Sequence, residues 1–191
     1  IMQMLSLFWT AFWTTTLSGG LLLLLLFWSM AVPSWRIWPP PIGKASWQFW
    51  LVWTFVILLV TGDMIVAVLD SGSLGLSALY RVIGIVMIIL GNCLAWWGVA
   101  LLRGWTTTGL AGPIVTTGPY RFSRNPQYLG DALIVIGVIL ASDSALSICP
   151  SLLAALCAFA APFAEEPWLC NRLGPEYEAY LRKVPRFLGP F

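Results

Sequence analysis

An all-helical bundle that crosses a membrane several times is the fold this sequence predicts, and three observations predict it. Of its 191 residues, 59% are hydrophobic and only 9% are charged, against about 25% charged in a soluble domain. Mean hydropathy is +0.85. Uncharged apolar windows recur along the chain at the length of roughly 20 residues that a spanning helix needs.

Five spanning helices are expected. The first covers residues 4–31 and contains a leucine run at 21–26. That run resembles a signal-peptide core, but no basic residue precedes it and no small-x-small cleavage site follows, so it is read as a retained helix. A linker rich in Pro and Trp follows. The second helix covers 47–69, and Asp70 opens a short turn of Ser and Gly. The third covers 76–102. A longer polar segment over 103–125 leads to the fourth helix at 126–141 and the fifth at 150–164. These last two form a short hairpin: sixteen residues at 1.5 Å each reach only about 24 Å, less than a hydrocarbon core of about 30 Å. A polar tail is expected from Glu165. Within it, residues 175–184 form a C-terminal helix that starts at Pro175 after the helix-ending Gly174 and presents Tyr177, Tyr180, Leu181 and Val184 on one face.

Charge placement orients the bundle. Arg36 and Lys44 lie in the first linker; Arg103, Arg121 and Arg124 lie between helices three and four; Arg172, Arg182, Lys183 and Arg186 lie in the tail. Five spans put these three segments on one side, which the excess of basic residues marks as cytoplasmic. Arg81 alone lies near the opposite loops, which carry Asp70 and Asp143. The N-terminus is expected outside and the C-terminus in the cytoplasm, in a bacterial-type inner membrane.

Several chemistries are excluded at once. The chain has no histidine, which removes a histidine-ligated metal and a Ser-His-Asp triad. A net charge of +2 without a basic cluster gives no footprint for nucleic acid. Cys93, Cys149, Cys157 and Cys170 show no CxxC spacing and are read as packing residues. No metal site is expected.

Two segments on the expected cytoplasmic face are dense in polar residues: 118–131, and Glu165-Glu166 with the tail to Arg186. Polar groups at membrane depth are costly and usually functional. Their chemistry suits S-adenosylmethionine, which carries two positive groups, one carboxylate, an adenine and no phosphate. Glu165 and Glu166 face the cations; Arg121 or Arg124 holds the carboxylate. Asn125 adds neutral hydrogen bonds, Tyr120 and Tyr128 offer ring faces, and Gly118 and Gly130 permit close approach. The alternative is that these arginines and glutamates mark the interface and pair with one another.

The two segments resemble the signature of the isoprenylcysteine carboxyl methyltransferase and phospholipid N-methyltransferase superfamily. That signature runs Gly-Pro-Tyr-Arg (118–121), Arg-(His or Asn)-Pro-x-Tyr-x-Gly (124–130), a helical hairpin, Glu165-Glu166, and Gly-x-x-Tyr-x-x-Tyr (174–180). It covers roughly the last 75 residues. The first three helices match only in being apolar. The resemblance implies a single membrane domain in which 1–102 supplies three N-terminal helices and 103–191 binds S-adenosylmethionine. It carries cofactor contacts onto Tyr120, Arg124, Asn125, Pro126, Tyr128, Gly130, Glu165 and Glu166. It also implies methyl transfer to a lipophilic acceptor that enters sideways from the bilayer: a prenylcysteine carboxylate, a phospholipid amine, or a small lipophilic thiol or other lipid. Asn125 stands where the isoprenylcysteine enzymes typically have histidine, and asparagine cannot accept a proton at neutral pH. For an acceptor that must lose one, Asp131 is the candidate catalytic base, the alternative being an interfacial hydrogen-bonded carboxylate. Gly137, on the fourth helix, would let a neighbouring helix or an acyl chain approach closely, and marks that helix as the wall of the lateral entrance.

Two rivals come from other classes. A nicotinamide-dependent membrane reductase of related fold would want more basic residues for its phosphates. A non-enzymatic transporter or assembly protein would draw on Asp63 and Asn92, the only hints of a polar pathway in helices two and three.

Overall fold

The computed structural model describes residues 2–102, 109–110 and 112–189. Six helices account for most of them: α1 (Met2–Ala31), α2 (Trp47–Leu69), α3 (Ala78–Leu101), α4 (Pro126–Ser142), α5 (Ile148–Leu173) and α6 (Pro175–Leu181). The molecule is a polytopic transmembrane bundle. α1, α2, α3 and α5 are each long and apolar enough to cross a membrane, while α4 is a shorter apolar helix of 17 residues. Arg103 and the start of the polar segment at 103–108 lie outside the described residues.

The largest departure from the sequence expectation is α5. It does not stop at 164 but runs to Leu173, so Glu165 and Glu166 are helical and the hairpin has only one short arm. The helix continues through Pro162 and Pro167. An interior proline typically costs about 3 kcal/mol or more, through its missing N–H and the clash with the i−4 carbonyl. Side chains from four other segments fasten this stretch, as described below, and such packing makes interior prolines tolerable in membrane helices. Gly174, at φ 65°, then ends α5 with its N–H on the Cys170 carbonyl, 2.9 Å away. α6 is shorter than expected, but Tyr177, Tyr180 and Val184 do share one buried face, packed on Ile114, Leu169 and Leu173.

Two packing units make up the bundle. In the first, α1, α2 and α5 share a core that includes Leu22, Leu26, Val52, Leu59, Cys157 and Ala161. All four cysteines are free thiols, with Cys157 in this core. In the second, α3 and α4 meet backbone to backbone. A Cβ on Gly91 would stand 2.6 Å from the Gly130 carbonyl oxygen, and one on Gly137 would stand 2.7 Å from that of Gly84. Glycines 84, 91 and 98 on α3 recur every seven residues; the first two face Gly137 and Gly130 on α4, and Gly98 meets Pro126 and Gln127 at its start. This is the small-residue packing by which membrane helices associate without a hydrophobic driving force. Gly137 is therefore buried against α3 and is not the lip of a lateral entrance.

The two ends of the bundle are chemically distinct. At one end the 70–77 turn is laced to the α4–α5 turn. Asp70 accepts from the Ser73 and Ser144 hydroxyls and from the Leu146 N–H. Asp143, at φ 58°, accepts from the Leu76 N–H at 2.8 Å and pairs with Arg81 at 2.6 Å. Burial opposes the charge on Asp70, but hydrogen bonding from Leu146, Ser144, Ser73 and Ala145 outweighs it and holds its carboxyl below the usual carboxylate range. The other end gathers the first linker, residues 117–125, the end of α5 and the tail.

Two mid-bundle polar residues have hydrogen-bond partners, although Asp63 Oδ1 has none among the described residues. Asn92 donates to the Ile88 carbonyl one turn back at 2.9 Å, and buried Asp63 accepts from the Ser151 hydroxyl at 2.7 Å, clipping α2 to α5.

Candidate functional site

The motif loop is built around one glycine and one buried ring. Gly118 has φ 58°, in the left-handed region, and a Cβ there would stand 2.6 Å from Leu101 Cδ1. Both facts favour glycine at this position. Residues Gly118–Arg121 then form a single 3₁₀ turn that folds Tyr120 inward, 5% exposed, with its hydroxyl directed at the Gly98 carbonyl. Tyr180 on α6 donates to the Tyr120 carbonyl at 2.8 Å.

The tail straps this loop down. The Arg124 N–H donates to the Pro185 carbonyl at 3.0 Å. The Arg186 carbonyl accepts from the Ser123 hydroxyl at 3.1 Å and from the Asn125 side-chain amide at 3.0 Å. Pro126 follows as the first residue of α4, where its missing N–H costs nothing.

Glu165 and Glu166 are consecutive on a helix, so their side chains diverge by about 100°. Glu165 Oε1 accepts from the Trp38 indole N–H at 2.7 Å and from the Tyr128 hydroxyl at 2.5 Å. Glu166 points the other way and is 6% exposed. It forms ion pairs with Arg124, 3.2 Å away, and with Arg186, whose guanidinium also lies 3.9 Å over the Phe163 ring.

Between these groups lies a cavity of about 120 Å³. Tyr120, Arg124, Asn125, Tyr128 and Glu165 line it, so five of the nine sequence-nominated residues converge there. The other four do not. Pro126 is buried at the start of α4, and Gly130 is buried in the α3 contact. Glu166 is held in its double ion pair. Asp131 does not line the cavity, and no hydrogen bond or ion pair reaches its carboxylate from the described residues.

Sequence reasoning missed Trp38 and Trp168, and it named Tyr177 and Tyr180 as motif and helix-face residues without assigning them to the site. Trp168, Tyr177 and Tyr180 line the cavity with Gly109, Gly112 and Pro113. Burial raises the phenols of Tyr120 and Tyr177 well above the ordinary range. It pushes that of Tyr180 up to about 12, against a pull downward from Arg124. All three are therefore O–H donors at neutral pH.

Among the described residues, the cavity's lining includes one carboxylate, one guanidinium, five aromatic rings and the amide residues Asn125 and Gln127. Arg124 Nε is buried without a hydrogen-bond partner among the described residues, leaving a donor for an anionic group. Among the described residues, Arg124 is also the one basic side chain in the lining. A carboxylate amid ring faces favours a cation. Such a site suits a small molecule that carries positive charge, one carboxylate and a flat ring.

Among known families, phospholipid methyltransferase matches residues 79–176, a little over half of the 191-residue chain. The chain is also 25% identical over 136 residues to the nickel-cobalt-cadmium resistance protein NccN of Alcaligenes xylosoxydans xylosoxydans. That alignment covers 71% of this chain and 62% of the relative, a little under two thirds of its length. No solved structure matches.

Proposed function

Because the chain belongs to the phospholipid methyltransferase family, we propose that it transfers a methyl group from S-adenosylmethionine to a lipophilic acceptor, at the membrane face that carries the motif loop and the end of α5. The observation that carries this reading is the environment of Glu165: a carboxylate lining a cavity, fixed by Trp38 and Tyr128, with Arg124 on another wall.

Bound there, S-adenosylmethionine would supply an electrophilic methyl group for transfer to the acceptor. The protein's own residues bind and orient. Glu165 neutralises positive charge, and its two hydrogen bonds hold it in one rotamer. Arg124 holds the carboxylate. Tyr120, Tyr128 and Trp168 present rings. Glu166 and Asn125 act through others: Glu166 aligns the Arg124 guanidinium, while the Asn125 amide is committed to the Arg186 carbonyl. At about 120 Å³ the cavity is smaller than the roughly 300–1,000 Å³ typical of ligand sites. Admitting the whole cofactor therefore requires the cavity to widen.

Charge distribution supports a cytoplasmic location for this face. Of ten basic residues, all but Arg81 lie in or beside the segments at this end. Asp131 does not line the cavity, so an acceptor that is already anionic, or that arrives deprotonated, fits the site better than one needing a base there. A multiply phosphorylated nicotinamide cofactor would meet only one guanidinium in the described lining, which disfavours the reductase alternative.

Two measurements test the proposal. Calorimetric titration of the purified protein with S-adenosylhomocysteine should show saturable binding. Incubation of membranes and a total lipid extract with methyl-labelled S-adenosylmethionine should label a lipid-soluble product. Absence of binding and of labelling together would overturn it.

A further inference from the structure

Arg186 does not line the cofactor cavity, and it lies beyond the stretch 79–176 that matches the family. We propose that Arg186 makes the site selective for a nucleoside bearing a carboxylate, acting through Glu166 as a positioning residue for Arg124. The proposal rests on the methyltransferase reading above, in which Arg124 takes the cofactor's carboxylate.

The backbone at Arg186 is fixed to two elements at once. Its carbonyl accepts from the Ser123 hydroxyl and the Asn125 amide, and the Pro185 carbonyl accepts from the Arg124 N–H. On either side, Val184 is buried against Tyr177 and Tyr180, and Phe187 stacks on Phe159 of α5, with ring centroids 4.9 Å apart and planes 14° from parallel. The side chain then crosses the Phe163 ring, 3.9 Å from its centroid, and ends on Glu166. The hydrogen bond to Glu166 raises the Arg186 guanidinium above its ordinary range, against burial that alone would lower it. Arg186 is thus a permanent positive charge at a fixed place.

The charges of this cluster do not balance. Glu166 is 6% exposed and carries a guanidinium on each oxygen, Arg124 on Oε1 at 3.2 Å and Arg186 on Oε2. Two cations and one anion leave one net positive charge in a desolvated setting, where an uncompensated charge is costly. One more anion completes the cluster. The open donor agrees with the charge count: Arg124 Nε is buried with no hydrogen-bond partner among the described residues, and Arg124 is the member of the cluster that lines the cavity. A carboxylate delivered there closes an alternating row of carboxylate, Arg124, Glu166 and Arg186. Glu165, fixed by Trp38 and Tyr128, is matched by the cofactor's cations and stays outside this count.

Without Arg186 the balance reverses. Arg124 and Glu166 neutralise each other, and an incoming carboxylate makes the cluster negative. Glu166, left with a single partner, also draws the Arg124 guanidinium to itself. Arg186 therefore acts on the ligand's carboxylate alone, and not on its adenine or its ammonium.

The test is calorimetric titration of the full chain in detergent with two ligands. One is S-adenosylhomocysteine; the other is its decarboxylated counterpart, which keeps the adenosine, the thioether and the ammonium. The parent should bind the first at least about tenfold more tightly, as a charge-assisted fork implies. Arg186→Gln retains the main-chain carbonyl that holds the motif loop; it should cut this preference to about twofold or less without weakening the decarboxylated ligand. Arg186→Lys restores the charge and should recover most of the preference. Arg186→Met, which keeps an aliphatic stem over Phe163, serves the same comparison should the Gln variant not fold. In an Arg124→Gln background, Arg186→Gln should change the preference no further. Equal weakening of both ligands in a folded variant would make Arg186 purely structural and overturn the proposal. An unchanged preference, or a parent that bound both ligands alike, would also overturn it, and in each case nucleoside binding would leave the methyltransferase reading standing. A parent that bound neither ligand would instead remove that reading, and the role of Arg186 with it.

Discussion

Glu165→Gln isolates the charge on which cofactor recognition depends. The parent oxygen Oε1 accepts from Trp38 and Tyr128, so the Gln carbonyl oxygen must take over that position; reversed, the amide would set donor against donor. The amide NH₂ is then turned toward the cavity, where the parent presents the rest of a carboxylate. Removing a charge-assisted hydrogen bond typically loses about 1.5–3 kcal/mol, and at about 1.4 kcal/mol per tenfold change that is roughly 10- to 150-fold in affinity. Calorimetry with both S-adenosylmethionine and S-adenosylhomocysteine reads this directly. The two ligands share an ammonium and differ in the sulfonium, so a larger loss for the charged ligand assigns Glu165 to the sulfonium, and equal losses assign it to the ammonium. Thermal melting of the same sample should show a folded protein, since both hydrogen bonds can persist. A folded Glu165→Gln protein that bound both ligands as tightly as the parent would refute the reasoning.

Further expectations follow from the packing. Glu166→Ala leaves two guanidinium groups without their shared carboxylate and should destabilise by about 3–5 kcal/mol, the range for breaking a buried pair; melting of the detergent-solubilised protein at neutral pH checks this, and an unchanged midpoint would contradict the structural role given to Glu166. Gly91→Ala drives a methyl group to 2.6 Å from the Gly130 carbonyl and should cost about 1–3 kcal/mol, lowering the melting temperature by several degrees, whereas Gly20→Ala, which meets nothing within 4 Å, should not. Asp70 has a lowered folded-state pKa, so its contribution is present above the unfolded value of about 3.9 and is lost as pH falls through the folded value; melting midpoints should drop below about pH 4 in the parent and less steeply in Asp70→Asn. In a cysteine-free background, an impermeant thiol reagent should label Ser71→Cys in intact cells and Thr116→Cys only after permeabilisation, and the reverse pattern would invert the topology.

Membrane insertion, the helical class and most helix boundaries were determined by the sequence alone, because the bilayer imposes one solution on a long uncharged run: every backbone group must be paired inside its own helix. The motif loop was legible for a related reason. Glycine, proline, tyrosine and arginine packed into 118–130 constrain the backbone locally, and five of the residues nominated from them and from Glu165-Glu166 do line one cavity. What the sequence could not show is which way side chains turn once helices meet. Glu165 and Glu166 read as an equivalent pair, yet one faces the cavity and the other closes a double ion pair, because consecutive helical residues diverge by about 100°. Gly130 read as an opening for a ligand and Gly137 as a contact for either a helix or an acyl chain, and both meet α3, a distinction that depends wholly on the partner helix. The end of α5 was misplaced because charges and prolines stop a helix in isolation; here Trp38, Tyr128, Arg124 and Arg186 bind its last turns from outside. Trp38 lies 127 positions from the carboxylate it bonds. No local pattern encodes such a contact, because it exists only after α1, α2 and α5 have packed around a common core.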